Sequence, residues 1–244
     1  MAKNDNLKDF LTDVADAIRE KKGTTEKINP QDFSDEIRGI ESGGGNPWNA
    51  DVIWNDDTTF GFDSIKEIHI HEGITTLDEK AFRYNSSLQK VVLPKSLQII
   101  GTYAFAGMAG ILTEINLPEN ITTINNYAFN GSPFNKLIFP SKVTYINYGI
   151  CTNCTSLESV VFLGNVTHIR PIAFQNCSAL KKVVLDQCTK VPILENTNAF
   201  TKFHETCKLV VPDALYDQWI VATNWSTYAS NIVKASEFVE PTNE

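Results

Sequence analysis

Residues 121–129 read ITTINNYAF, and close relatives of this stretch recur on both sides of it. Each copy ends in a small residue followed by a large apolar one, and successive copies lie 21 to 26 residues apart. A nearly fixed period of this length is typical of a solenoid, in which a single unit cannot bury its apolar side and stacked units share one core. These pairs, called anchors below, are predicted at Ala81/Phe82, Ala104/Phe105, Ala128/Phe129, Gly149/Ile150, Ala173/Phe174 and Ala199/Phe200.

Two short apolar segments precede each anchor and predict two strands per unit. In the first strand, two apolar residues stand at alternate positions, so both side chains point into the core. The predicted inward pairs are Ile68/Ile70, Val91/Leu93, Ile115/Leu117, Leu137/Phe139, Val160/Phe162 and Val183/Leu185.

The residue between the two inward positions is expected to point into solvent and to form a row along the exposed sheet face. β-branched residues suit strands wherever they point, so this row could have no function. An uninterrupted apolar row also marks a surface for a partner protein or a sister subunit, and both interpretations stay open. The row, which is the predicted partner-binding surface, consists of His69, Val92, Asn116, Ile138, Val161, Val184 and Val210.

Residues 1–41 predict a small helical hairpin. Apolar residues follow helical spacing in two segments, and Asn29 and Pro30 are typical of the start of the second helix. Two helices this short expose apolar surface when isolated, so we expect them to attach to a larger assembly or to self-associate. Packing as a cap on the solenoid is the alternative. The predicted anchoring residues are Leu7, Phe10, Leu11, Val14, Ile18, Phe33, Ile37 and Ile40.

Composition predicts the remaining boundaries. The Gly-rich residues 42–46 form a linker. The aromatic-rich residues 47–63 predict an N-terminal cap, with a carbohydrate platform as the alternative, because terminal solenoid units depart from the repeat. The repeats span 64–211, and residues 212–244 predict a C-terminal capping helix and a tail. In that helix Leu215, Trp219 and Ala222 share one face.

Charge and hydropathy exclude several classes of protein. The 244 residues carry a net charge of -8, which disfavours nonspecific binding to nucleic acid or to anionic membranes. No run of about 18 apolar residues predicts membrane insertion. The first residues lead into charged positions and do not form the apolar core of a signal peptide, so export by the general secretory route is not expected.

The sequence offers few residues for chemistry. The phosphate-binding, zinc-protease and hydrolase motifs are absent, so we predict no catalytic residues, no cofactor and no enzyme. Cys151 and Cys154 have the spacing of a metal or redox site, but no second pair completes it, so they and Cys177 are predicted to be small buried residues. His69 and His71 share a strand face and are weak candidates for a shared metal.

The repeat unit LxxVxLPxxITxIxxxAFxxCxSL, seen in part in residues 112–129 and 157–177, resembles the BspA-like leucine-rich repeats of bacterial surface proteins. Residues 210–219 and 222–229 resemble the terminal unit of the same family. The resemblance implies a leucine-rich-repeat solenoid with units of about 23 residues. It also implies binding to host matrix or other cells, in family members that generally carry an export signal.

Residues 14–20, 24–33 and 37–40 are similar to a helical leader of phage and prophage proteins from gut bacteria. This second resemblance favours a structural or adhesion protein of a phage virion, of the tail, baseplate or fibre type, made in the host cytoplasm. Its expected partners are other virion proteins through the N-terminal helices, sister subunits, and a bacterial surface receptor or glycan. The alternative is a bacterial adhesin or scaffold, in the cytoplasm or at the cell surface, that is not exported by a classical signal.

Overall fold

A computed structural model describes residues 67–70, 72–108 and 112–240, and these residues form the predicted β-solenoid. A regular turn contributes a strand to a front sheet, a two-residue strand to a second sheet, and a loop that carries the anchor. The front strands are β1 (Glu67–His69), β3 (Lys90–Val92), β6 (Lys136–Phe139), β8 (Ser159–Phe162), β10 (Lys182–Val184), β12 (Lys208–Val211) and β13 (Ile232–Lys234). The second strands are β2 (Thr76–Leu77), β4 (Ile99–Ile100), β5 (Thr123–Ile124), β7 (Tyr145–Ile146), β9 (His168–Ile169) and β11 (Ile193–Leu194).

All strand pairs in the described residues are parallel, because successive turns wind in one direction. The front strands form a two-stranded sheet, β1-β3, and a five-stranded sheet in the order β13-β12-β10-β8-β6. The second strands form two three-stranded sheets, β2-β4-β5 and β11-β9-β7. The predicted inward residues are buried, except that Leu117 is half-buried.

Aromatic rings from consecutive turns fill the core. The anchor rings of Phe82 and Phe105 stack with centroids 5.1 Å apart, and those of Phe105 and Phe129 lie 5.9 Å apart. At the other end, the rings of Phe174 and Phe200 are 5.4 Å apart. The anchor alanines beside these rings are buried and allow successive turns to approach each other closely.

The fourth anchor is Ile150/Cys151, so the predicted assignment of Gly149/Ile150 is wrong by one residue. The Phe129 N–H donates to the Ile150 carbonyl, just as the Phe105 N–H donates to the Ala128 carbonyl one turn earlier. Sequence spacing agrees, since the 14 residues from Ile115 to Phe129 equal those from Leu137 to Cys151.

Strand phenylalanines fill the space that Cys151 leaves at the phenylalanine position of the anchor. The ring of Phe139 contacts Phe129 edge-on at 6.4 Å and stacks on Phe162 at 4.8 Å. Phe162 in turn meets Phe174 edge-on at 6.3 Å. Aromatic rings on the strands therefore fill the volume that an anchor phenylalanine in the loop fills in other turns.

Residues 112–117 do not form the strand that the repeat predicts. Leu112 and Ile115 are buried, yet the segment pairs with neither β3 nor β6 in a ladder. The loops on either side of this segment have unusual lengths: ten residues separate Phe105 from Ile115, and only eight separate Phe129 from Leu137. The corresponding separation in the turns around them is nine, as from Phe82 to Val91. The segment still begins in the regular register, because the Asn135 N–H donates to the Thr113 carbonyl as the Glu158 N–H donates to the Asn135 carbonyl one turn later.

The predicted C-terminal helix is much shorter than expected. It consists of one α-helical turn, α1 (Tyr216–Trp219), between the 3₁₀ turns Asp213–Leu215 and Trp225–Tyr228. Asn224, with φ of 64°, ends the helical path. Trp219 and Trp225 are fully buried, with ring centroids 5.3 Å apart. Two further 3₁₀ turns are Thr197–Phe200 and Ala235–Glu237.

The helical hairpin of residues 1–41, its anchoring residues, the linker and the N-terminal cap lie outside the described residues. No helix in the part of the chain that the structure describes is long and apolar enough to cross a membrane.

Candidate functional site

The outward side chains of the front sheet form two rows that run across the strands. The first is the predicted partner-binding row, and its exposed apolar members include Val92 and Ile138, with 38% and 39% of their surface accessible. The second row consists of the residues two positions earlier on each strand, and most of them are charged. Its members are Glu67, Lys90, Glu114, Lys136, Ser159, Lys182 and Lys208.

The predicted partner-binding row is not exposed to solvent along its whole length. Val161 and Val184 are half-buried, and Val210 is only 3% exposed, so the prediction that Val210 faces solvent is wrong. Two features at this end of the sheet explain the burial: β13 pairs alongside β12, and the chain after β13 returns across the outward face. There the Phe238 ring lies 5.7 Å from the Lys182 ammonium, and Glu240 forms an ion pair with the same group.

The exposed apolar surface of the front sheet is therefore centred on Ile138 and Leu163. Leu163 follows β8 directly and is 53% exposed. Both side chains line a groove of about 480 Å³ that opens on the outward face beside the missing strand. The groove residues are Glu114, Ile115, Asn116, Leu117, Glu119, Lys136, Ile138, Pro140, Ser141 and Leu163.

The main chain of β6 is open where it borders this groove. The Asn135 N–H donates to the Thr113 carbonyl at 2.9 Å, but the ladder stops there. Alternate residues of a strand direct their N–H and C=O to opposite neighbours, and Phe139 uses its carbonyl toward β8 by accepting from Leu163. Ile138 therefore faces the other way, toward residues 112–117, and its N–H and C=O have no hydrogen-bond partner among the described residues.

Three charged side chains lie around the groove. On the intact pair of strands β1 and β3, Glu67 forms an ion pair with Lys90 of the next turn. Glu114 and Lys136 occupy the same two positions two units later, yet no ion pair joins them within the described residues. Glu119 is likewise exposed and forms none. The displaced segment thus leaves two carboxylates and one ammonium available to a ligand.

A family model described as the BspA type leucine-rich repeat region matches residues 56–207 in six copies. The chain belongs to this BspA-type leucine-rich repeat family. The predicted resemblance of the repeats is thereby confirmed, and the groove is a local departure from the regular ladder of a BspA-type solenoid.

Among solved structures, the BspA-type chain is similar to the pneumococcal vaccine antigen PcpA, at 23% identity and a TM-score of 0.53. The match covers 75% of this chain and 42% of that one, so the chain spans less than half of the antigen, and the likeness concerns the fold. A leucine-rich repeat protein of T. pallidum matches at 25% identity and a TM-score of 0.47, covering 62% of this chain and 80% of that one. No curated protein matches.

The histidines of the BspA-type repeats do not form a metal site within the described residues. His69 lies beside Glu67, with 2.6 Å between Nε2 and Oε1, and Lys90 contacts the same carboxylate. Hydrogen bonds from Lys90 and from His69 lower the pKa of Glu67. His71 lies outside the described residues, and no group of three or more possible metal ligands occurs in the rest.

The cysteines are buried, as predicted for three of them, and all five are free thiols. The Cys177 thiol donates to the Cys151 carbonyl, and the Cys154 thiol donates to the Phe129 carbonyl. Burial raises the pKa of Cys151 and Cys177 well above the usual range. Thiols held in this way are poor nucleophiles, which fits a packing role.

A tyrosine-rich flank is the feature that the sequence analysis missed. The Arg83 guanidinium lies over the rings of Tyr84 and Tyr103, 4.4 and 5.0 Å from their centroids. Tyr103 stacks on Tyr127 at 4.9 Å with an interplanar angle of 2°, and Tyr127 meets Tyr148 edge-on at 5.4 Å. Because neighbouring groups of the chain cover the ring faces, these rings pack on one another and leave few faces free to stack on a ligand.

The sequence did contain a signal for this flank. A tyrosine recurs immediately before the anchors in TYAF and NYAF, and Tyr148 lies one position earlier in the following turn. Recurrence of one large residue at a loop position of a repeat predicts that copies from neighbouring turns will stack.

Proposed function

We propose that this chain is a non-catalytic recognition protein whose front sheet presents the groove beside β6 to a macromolecular partner. The observation that carries the proposal is the coincidence, in one place, of an interrupted ladder with exposed Ile138 and Leu163. Exposed apolar surface bordered by polar groups is typical of interaction sites. The buried thiols donate to main-chain carbonyls, which fits a packing role for these cysteines.

We further propose that the chain acts as a structural or adhesion protein of a phage particle. The similarity of residues 14–40 to phage and prophage leaders supports this setting. In this proposal the N-terminal helices join other virion proteins and sister subunits, and the repeats face a bacterial receptor.

A bacterial adhesin or scaffold is the second candidate. Membership of the BspA-type family supports this candidate. The family model matches residues 56–207, which do not include the phage-like N-terminal segment. The groove serves recognition equally in both settings, while the attachment of the N-terminal region differs.

Fractionation of the encoding strain distinguishes the two settings. Purified particles from induced cultures, the cell-surface fraction and the cytosol are each analysed by mass spectrometry for peptides of this chain. A virion protein is expected in the particles at constant stoichiometry to the other particle proteins. Detection at the cell surface alone would contradict the phage proposal and support the adhesin.

A pair of variants tests the recognition role itself. Ile138→Lys with Leu163→Lys places two charges in the groove and is expected to reduce attachment of the labelled full chain to particles or cells of the encoding strain. Ile193→Lys is the matched control, because Ile193 is 57% exposed on the second sheet. Equal attachment of the groove variant and the control would contradict the proposal.

The leader has its own test. If Leu11→Asp with Val14→Asp leaves incorporation into particles and self-association unchanged, the N-terminal helices are not the attachment point. Loss of incorporation with unchanged thermal unfolding of the repeats is the expected result.

A further inference from the structure

We infer that residues 235–240 form a strap that opens without unfolding of the repeats, and that its opening adds the outward valines of β8, β10 and β12 to the surface that binds a partner. The inference rests on the proposed function, because it makes the groove one end of a longer apolar row. The strap controls access to the other end of that row.

The strap turns back over the outward face of the sheet. β13 lies where the next turn of the solenoid would begin, and it pairs in parallel with β12. A 3₁₀ turn, Ala235–Glu237, comes next, and no second strand follows β13 in the described residues. Phe238 and Glu240 then contact Lys182 on β10, which is two strands away from β13. The strap therefore crosses β12 to reach β10.

The contacts that hold the strap are few and lie at the surface. The Ser236 N–H donates to one carboxylate oxygen of Asp213 at 3.1 Å, and the Ser236 hydroxyl donates to the other oxygen. Glu240 forms its ion pair with Lys182 while 68% of the glutamate side chain is exposed. Within the described residues, no main-chain hydrogen bond joins the strap to the strands that it crosses. Exposed ion pairs contribute little to stability, so the strap is expected to open before the ladder beneath it does.

The strands under and beside the strap carry apolar outward residues in register. Val161, Val184 and Val210 lie next to one another on β8, β10 and β12, and Ile138 on β6 pairs with Val161. With the strap closed, Val184 is half-buried and Val210 is 3% exposed, whereas Ile138 is 39% exposed. Opening of the strap makes the exposed row continuous across four strands. A continuous exposed apolar row is typical of a surface that binds a partner.

Thiol labelling measures opening of the strap without a known partner. Val210→Cys places a thiol under the strap, and the five native cysteines, which are all buried and free, report opening of the core in the same molecule. We expect the introduced thiol to react with dithionitrobenzoate about 100-fold or more faster than the native thiols.

A strap variant identifies the contacts that limit this reaction. Ser236→Ala with Glu240→Lys weakens the hold on the strap, so it should accelerate the introduced thiol about tenfold and leave the native thiols unchanged. Equal rates for the introduced and native thiols, or no acceleration in the strap variant, would overturn the inference. The strap would then be a fixed part of the C-terminal cap.

Attachment of the labelled full chain to particles or cells of the encoding strain tests the consequence for binding. The strap variant should increase attachment about threefold or more, because a larger fraction of the chains presents the open row. Adding Val184→Lys to the strap variant should abolish this increase. Glu205→Lys is the charge-matched control, since Glu205 is exposed in the loop before β12.

The groove variant, Ile138→Lys with Leu163→Lys, separates the two proposals. If it loses attachment while the strap variant attaches like the control, the proposed function stands and the strap inference falls. If the groove variant itself attaches like the wild type, the proposed function falls, and the strap inference falls with it.

Discussion

The ring of Tyr127 lies directly against the backbone of Gly149 in the next turn. A Cβ atom placed on Gly149 would come within 2.5 Å of a ring carbon of Tyr127, a distance that side chains do not tolerate. Gly149 also has a φ of 59°, in the left-handed region. Tyr103 and Tyr127 adopt the same left-handed conformation at the equivalent position of the two preceding turns, with φ of 58° and 57°, so the backbone alone does not require glycine. The contact with the Tyr127 ring is what favours glycine at position 149.

Gly149→Ala is expected to destabilise the fold by about 2 to 4 kcal/mol. Of this, about 1 to 2 kcal/mol comes from the left-handed backbone. The remainder comes from displacement of Tyr127, which is held between Tyr103 and Tyr148 and has little room to move. Urea unfolding followed by circular dichroism measures the difference.

Gly131→Ala is the matched control for this substitution. Gly131 has a φ of 62°, but a Cβ there would meet only the backbone of Gly107, at 3.9 Å. Its cost should therefore be the backbone contribution alone. Equal losses of stability in the two alanine variants would show that Tyr127 does not pack on Gly149 as described.

Val210 and Ile138 occupy equivalent positions of the repeat. We expect Val210→Lys to destabilise the fold strongly and Ile138→Lys to leave its stability nearly unchanged. Val210 is 3% exposed beneath the returning C-terminal chain, so a buried ammonium should cost about 3 kcal/mol or more. Ile138 is 39% exposed, so its substitution should change the unfolding free energy by no more than about 0.5 kcal/mol. A mild effect at Val210 would mean that the C-terminal chain does not cover the sheet in solution.

Stability should fall as the pH rises above about 9. Burial raises the pKa of Cys188 to about 11 and that of Cys207 to about 12, from an ordinary value of 9.0. Between these values the unfolded chain loses thiol protons that the folded chain keeps, so the contribution is complete below pH 9 and is lost toward pH 11 to 12. Each thiol then lowers the unfolding free energy by up to about 1.4 kcal/mol per pH unit.

Urea titrations at pH 7, 8, 9 and 10 measure this dependence. Cys207→Ala removes one titrating thiol and should reduce the slope above pH 9 while leaving the slope below pH 8 unchanged. Identical slopes in wild type and variant would contradict the assignment of a raised pKa to this thiol.

Repetition made the inward residues predictable. Leu137 and Val160 are both 0% exposed, because strand alternation and a constant distance to the anchor determine which side chains enter the core. The same constancy would have placed the fourth anchor at Cys151. A small residue at the phenylalanine position hid that assignment, since the compensating rings of Phe139 and Phe162 lie on strands elsewhere in the sequence.

Features that depend on departures from the repeat were not predicted. Phe238 and Glu240 contact Lys182 on the outward face, and their segment carries no repeat pattern that would predict its path across the sheet. The missing strand at residues 112–117 did have a signal, namely one residue too many before Ile115 and one too few before Leu137.

Amide hydrogen exchange at Ile138 tests most directly whether the front sheet is open beside β6. The N–H of Leu137 belongs to the ladder with β8, whereas that of Ile138 faces the groove without a partner in the described residues. We predict that the Ile138 amide exchanges about 100-fold or more faster than that of Leu137 in the wild-type chain. Equal protection of the two amides would show that residues 112–117 complete the ladder in solution, and the groove, with the recognition role assigned to it, would not exist.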